Sequence, residues 1–229
     1  MARVGDAALG IWMDVPPEAE AEYERWYHEQ HFPERLGVPG FLRGRRWRSL
    51  RGTPRFFILY ETESGAVLRS PAYLERLNSP TEWTRRVLPT LRNVVRNAYH
   101  LVHAAGAKDG PAAATLRLDP TPGRETELRA WYLKEIIPAM LRIPGVLSAT
   151  FYEAEPVATG VITEERKLVG EMGTAPPFLC VCEFEGTAVG QAPAWQEAIA
   201  ANGPPGLPLI REPTENRYML VQTLRRLAV

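Results

Sequence analysis

Eleven consecutive residues, Trp26-Tyr27-His28-Glu29-Gln30-His31-Phe32-Pro33-Glu34-Arg35-Leu36, gather several groups able to move protons. Tyr27 and His31 are four apart, so on a helix their rings share one face. An imidazole titrates near neutrality and serves as acid or base, whereas a guanidinium is permanently charged and holds an anion. Together with Arg46 and Tyr60, this set suits proton transfer on a phenolate, enolate or carboxylate. His31 is the expected general base or acid, Tyr27 and Tyr60 are catalytic candidates beside it, and Arg46 is the expected anion anchor. His28, Asn78 and Trp83 are candidates to line the same ligand site. Blander readings stand next to these. His31 can instead be bonded to a backbone carbonyl or to Tyr60, Arg46 can pair with Glu61, and Ser79-Pro80-Thr81 can simply cap a helix.

A metal at His28 and His31 is not expected, because His-Glu-x-His is not the His-Glu-x-x-His of zinc proteases. A single histidine at 31, 100 or 103 is compatible with haem, but nothing selects for it. No glycine-rich phosphate loop, Gly-x-Ser-x-Gly elbow or Cys/His pairing occurs, so no nicotinamide, flavin, nucleotide or other cofactor is expected.

The elements that must position these groups are written twice along the chain. A shift of 105 residues lays Ala8 to Gly40 over Ala113 to Gly145 without a gap. Trp26-Tyr27 then meets Trp131-Tyr132, Pro33 meets Pro138, and Pro39-Gly40 meets Pro144-Gly145. Further on, a shift of 122 sets Phe56 on Phe178 and Glu61 on Glu183, and a shift of 119 sets Asn97-Ala98-Tyr99 on Asn216-Arg217-Tyr218. The second copy therefore carries a net insertion of 17 residues, placed between about Val157 and Ala175. It is a lid or a mobile surface loop, with the surface loop slightly preferred. Each copy reads as strand, helix, two strands, helical pieces and strand, which is a ferredoxin-like βαββαβ unit. Residues 1–106 and 107–229 are the expected units, packed sheet to sheet as an internal pseudo-dimer, with association of whole chains left open.

The second copy also serves as a control on the first. Ile136 stands at the position of His31, Phe151 at Arg46 and Cys182 at Tyr60, so these three polar groups are expected to face an interior. Leu133 at the His28 position makes His28 half-buried, and Lys134 opposite Glu29 puts Glu29 on the surface.

The run from Trp26 to Leu36, followed by Pro39-Gly40-Phe41 and Arg45-Arg46, resembles the helix-and-strand signature of the dimeric α+β barrel superfamily, and its EthD-like branch in particular. Gln30 departs from that branch, which usually has Glu there. The resemblance implies an α+β fold. It implies less about activity, since the superfamily hosts polyketide cyclases, cofactor-independent monooxygenases, haem enzymes and proteins without a known role.

Composition bounds the rest. The 229 residues are 45% apolar, enough for a buried core and against a disordered chain. Lys+Arg 27 balances Asp+Glu 27, so no overall field draws nucleic acid or an anionic membrane, and a small molecule is the expected partner. No run reaches the ~18 apolar residues of a membrane span, the first six residues lack the apolar run of a secretory signal, and a cytoplasmic protein is expected. Cys180 and Cys182, two apart on one strand face, are expected to be buried free thiols. The expected function is a cofactor-independent cyclase, isomerase, lyase or monooxygenase acting on a small aromatic or polyketide-like acid or enol. A non-catalytic ligand-binding or assembly protein is the alternative.

Overall fold

The structure is a computed structural model, and it describes residues 5–50, 52–155, 162–201, 203–211 and 214–226. The first four residues, Arg51 of the expected strand-joining turn and the 157–161 start of the insertion lie outside the described residues. Two compact units divide the chain. One comprises residues 5–100, 155–175 and 221–226 as far as they are described, and the other comprises 101–154 and 176–220. The first boundary thus falls near residue 100 rather than 106, and the insertion belongs with the first unit rather than the second.

In the first unit, β1 (Ala7–Asp14) leads into α1 (Pro17–Trp26). Pro16-Pro17 fixes the backbone for the first turn, and Glu18 and Glu20 complement its dipole. One π-helical turn, Tyr27–His31, follows and passes into α2 (Phe32–Gly37). Pro33 explains the wide turn: it has no N–H for the Glu29 carbonyl, and its ring crowds that oxygen. The hairpin β2 (Phe41–Ser49) and β3 (Phe56–Thr62), the helices α3 (Pro71–Asn78) and α4 (Glu82–Val87), and β4 (Arg92–Gly106) complete the expected order. β3 pairs with β1 and β2, and β1 also pairs with β4, all antiparallel, giving the order β2-β3-β1-β4. β3 is buried on both faces, which is why it reads as a continuous apolar run, Phe56-Phe57-Ile58-Leu59-Tyr60. Leu9, Met13, Phe56, Ile58 and Tyr60 belong to the core that the helices cover, whereas Trp12, Phe57 and Trp47 stack on one another outside it.

The second unit repeats this order with β5 (Ala112–Leu118), α5 (Glu125–Trp131), a π turn at Tyr132–Ile136, α6 (Ile137–Leu141) and β6 (Val146–Ala154). The insertion after β6 forms α7 (Glu164–Val169) and the two-residue β7 (Gly173–Thr174), which runs parallel to β4 in the first unit. The second unit resumes with β8 (Phe178–Phe184), α8 (Pro193–Ala200) and β9 (Thr214–Arg225). Its strand order, β6-β8-β5-β9, matches the first unit down to register. Ala7 opposes Thr62 and His100, while Ala112 opposes Phe184 and Met219, which are the same positions under the three sequence shifts. Even the irregularity between Phe41 and Arg43 recurs between Val146 and Ser148.

The two Pro-Gly turns also coincide. Gly40 has φ +88° and Gly145 φ +86°, and a Cβ on either would fall 2.4–2.5 Å from a valine methyl, Val67 or Val189. Only glycine meets both demands. Cys180 and Cys182 are free and buried, with their sulfurs 3.7 Å apart. Among the described residues, no helix is long and apolar enough to cross a membrane.

Candidate functional site

The first unit holds a cavity of about 80 Å³, partly open to solvent, between its sheet and its helices. Leu9, Ile11 and Met13, alternate residues on one face of β1, form its apolar floor, and Tyr73 and Leu77, one turn apart on α3, form a wall. The π turn supplies Tyr27 and His31, β3 supplies Tyr60, and α2 supplies Arg35. The roof comes from the insertion: Thr163, Glu165, Arg166, Val169 and Met172 all face the space. The surface-loop expectation is therefore corrected. Its described part holds a helix whose Leu168 and Val169, with Met172 just beyond it, pack on the first unit's core.

His31 is buried at 8% exposure, with its ring 4.2 Å from that of Trp26 and 5.0 Å from that of Tyr27. Its Nδ1 is buried without a hydrogen-bond partner. Burial, reinforced by Arg35 and Arg76, holds the imidazole well below its ordinary pKa, so it is neutral at pH 7. The Tyr27 and Tyr60 hydroxyls meet at 2.8 Å. Burial pushes both phenols up, with mutual proximity adding to the effect on Tyr27, so both remain protonated. The structure thus brings the three catalytic candidates, His31, Tyr27 and Tyr60, to one cavity.

The ligand-lining candidates do not join them. Arg46 is buried, but its Nη2 pairs with Glu24 Oε2 at 2.5 Å and its guanidinium lies 5.1 Å from the Tyr27 ring centre, without lining the cavity. The expected Arg46–Glu61 pair is also corrected, since Glu61 binds Arg43 and approaches Arg45. His28 is exposed rather than half-buried, with its Nδ1 2.8 Å from the Gln222 amide nitrogen. Glu29 is exposed as expected. Asn78 is exposed too. Its Oδ1 accepts the Glu164 N–H at 3.1 Å and so caps α7 instead of touching a ligand. Trp83 packs partly buried against the core, outside the cavity lining. Gln30 donates to Thr81 and Thr84, whose hydroxyl also accepts from Trp26, so this residue ties its helix to α4.

The buried cation of the cavity that sequence reasoning missed is Arg35. It is 3% exposed, its Nη2 donates to Glu165 Oε2, and its Nη1 is buried without a partner. Burial opposes its charge, but the Glu165 carboxylate beside it keeps the guanidinium above its ordinary pKa. The repeat contains the signal that would have found it: the 105-residue shift sets Arg35 on Met140, which is fully buried. Arg96 and Arg166 also line the cavity, so its charged lining is three arginines and one glutamate. Among the described residues, no three His, Cys, Asp or Glu side chains are placed to hold a metal ion.

No family model and no curated protein sequence matches the chain. Solved structures do. An anthrone oxidase-like protein aligns with a TM-score of 0.61 at 14% identity, over 96% of this chain and 92% of that one. A protein provisionally named a monooxygenase, from Fusobacterium nucleatum, aligns at 0.57 and 12% identity, over 97% and 95%. A mutant chlorite dismutase from Candidatus Nitrospira defluvii aligns at 0.56 and 9% identity, over 96% and 93%. Identities this low carry the path of the chain and nothing finer, and that path is a mixed α+β fold of two ferredoxin-like βαββαβ units.

Proposed function

We propose that the cavity of the first unit is the active site of a cofactor-independent enzyme that moves a proton on a small aromatic or polyketide-like acid or enol. His31 is the general base or acid, Arg35 takes the anchoring role expected of Arg46, and the Tyr27–Tyr60 pair offers a hydroxyl donor to a developing oxyanion. One observation carries this reading: a neutral imidazole and a guanidinium, both buried and each with an unpartnered nitrogen, lie in one apolar cavity. Buried polar groups are ordinarily satisfied, and those left open are what a ligand would complete. Cyclisation, isomerisation, elimination and oxygenation, the last with dioxygen as co-substrate, all begin with such a proton transfer. The names of the structural neighbours, an anthrone oxidase-like protein among them, agree with a substrate of this class. The coincident registers of the two units further support a tandem duplication, in which one copy kept the polar groups of the cavity and the other set Ile136, Met140 and Cys182 at the positions of His31, Arg35 and Tyr60.

The non-catalytic reading draws on the cavity's size. A volume of about 80 Å³ is well below the roughly 300–1,000 Å³ of ordinary ligand sites. The test is turnover of a panel of anthrones, hydroxyaromatic acids and β-keto acids without added cofactor, followed by absorbance and mass spectrometry. His31→Ile, which installs the residue of the other unit, should lower kcat on any converted compound by about 10²-fold or more while the fold persists. Binding of such compounds without conversion by the wild-type protein would establish the non-catalytic reading instead.

A further inference from the structure

The cavity's own roof supplies the chemistry that a ligand would bring. Glu165 sits on Arg35 with its side chain 10% exposed, in a space otherwise lined by apolar groups, three phenols, a threonine, an imidazole and two more arginines. We propose that the Glu165 carboxylate occupies the anion site in place of a ligand carboxylate, and that binding exchanges one for the other and lifts α7 from Arg35. The inference rests on the reading of this cavity as a ligand site, and it names the ligand class as a single carboxylate on an apolar, ring-sized body.

One observation and two physical arguments favour exchange over simple addition. The remaining space, about 80 Å³, is too small for a ring and a carboxylate beside Glu165. Two carboxylates on one guanidinium in an apolar interior would also repel each other. And Arg35 cannot be left bare, since an unpaired buried charge is costly, so α7 stays shut until another anion arrives. The unpartnered Nη1 of Arg35 gives the incoming carboxylate a place to land before Glu165 departs. The roof is fastened on both sides of this contact, by the Asn78 cap on the Glu164 N–H and by the pairing of β7 with β4, so a displaced α7 remains tethered.

The test uses the full chain, with 1-naphthoate and benzoate as probes and 1-naphthalenemethanol as the neutral counterpart. Binding is read by calorimetry, and the roof by amide hydrogen exchange over residues 163–172. In the wild-type protein, saturating carboxylate should speed exchange in that segment about tenfold or more, and the alcohol should not. Glu165→Gln removes the competing charge, and should bind the carboxylates about tenfold more tightly with exchange already fast. Carboxylate binding with unchanged or slower exchange, equal affinity for both proteins, or failure of both probes to bind either protein overturns the inference. Exchange as expected, with turnover unaffected by His31→Ile, would sustain it and remove the acid–base reading alone.

Discussion

Replacing His31 by Ile should remove a pH dependence of stability that the fold builds in. Burial, with Arg35 and Arg76 nearby, keeps the folded imidazole well below the ordinary value of 6.5, whereas the unfolded chain titrates there. The unfolded state therefore binds the extra proton first as the pH falls. Stability from this group is complete above the unfolded pKa and declines on acidification from about pH 6.5. The decline approaches 1.4 kcal/mol per pH unit, the value of one proton, and ends where the folded imidazole itself accepts the proton. Urea denaturation of wild type and His31→Ile at half-unit intervals from pH 8 to 5 isolates the effect, because the other histidines and the carboxylates cancel in the difference. The wild-type stability should fall against the variant by up to about 1 kcal/mol across the unit below 6.5. Curves that stay parallel within about 0.3 kcal/mol would refute the argument, since they would mean that His31 titrates alike in both states.

The buried ion pair should behave asymmetrically. Glu165→Leu strands Arg35 and should cost about 3–5 kcal/mol in urea unfolding or local opening of α7, while Arg35→Met/Glu165→Leu should recover most of that loss. Full additivity of the two single changes would contradict it. Arg46→Phe, the residue of the other unit, should leave affinity for 1-naphthoate within about twofold, because Arg46 binds Glu24 outside the cavity. A tenfold loss in that titration would restore Arg46 as an anchor.

Comparing the two copies located His31 correctly because α-helical faces are buried on one side only, so Ile136 reports which way the side chain points. The same comparison placed Arg46 in an interior, where it lies, but could not say which part, because a strand buried along almost its whole length gives no such contrast. Phe151 marks an interior, but not the part of it that the cavity occupies. Arg35 was legible through Met140, yet its position inside a charged Glu34-Arg35 pair resembles a solvated helix end. Its burial is created by α7, which has no counterpart in the first copy. His28 was drawn toward the site through its counterpart Leu133 and Asn78 as part of a segment distinctive of the first copy, but their partners, Gln222 and the Glu164 amide, lie 194 and 86 residues away. Local patterning carries no record of such pairings.

Synthesis order gives the borrowed roof a cost in time. The cavity's other lining residues are all made by Arg96, but the segment that covers Arg35 and His31 runs from Thr163 to Thr174. At roughly 5–20 residues per second, a ribosome leaves this half-built unit uncovered for on the order of 4–15 s. During that interval Arg35 has no Glu165 to neutralise it, and the greasy floor of Leu9, Ile11 and Met13 is open to any hydrophobic stranger in the crowd. A nascent chain stalled between these two landmarks is the species most in need of a chaperone.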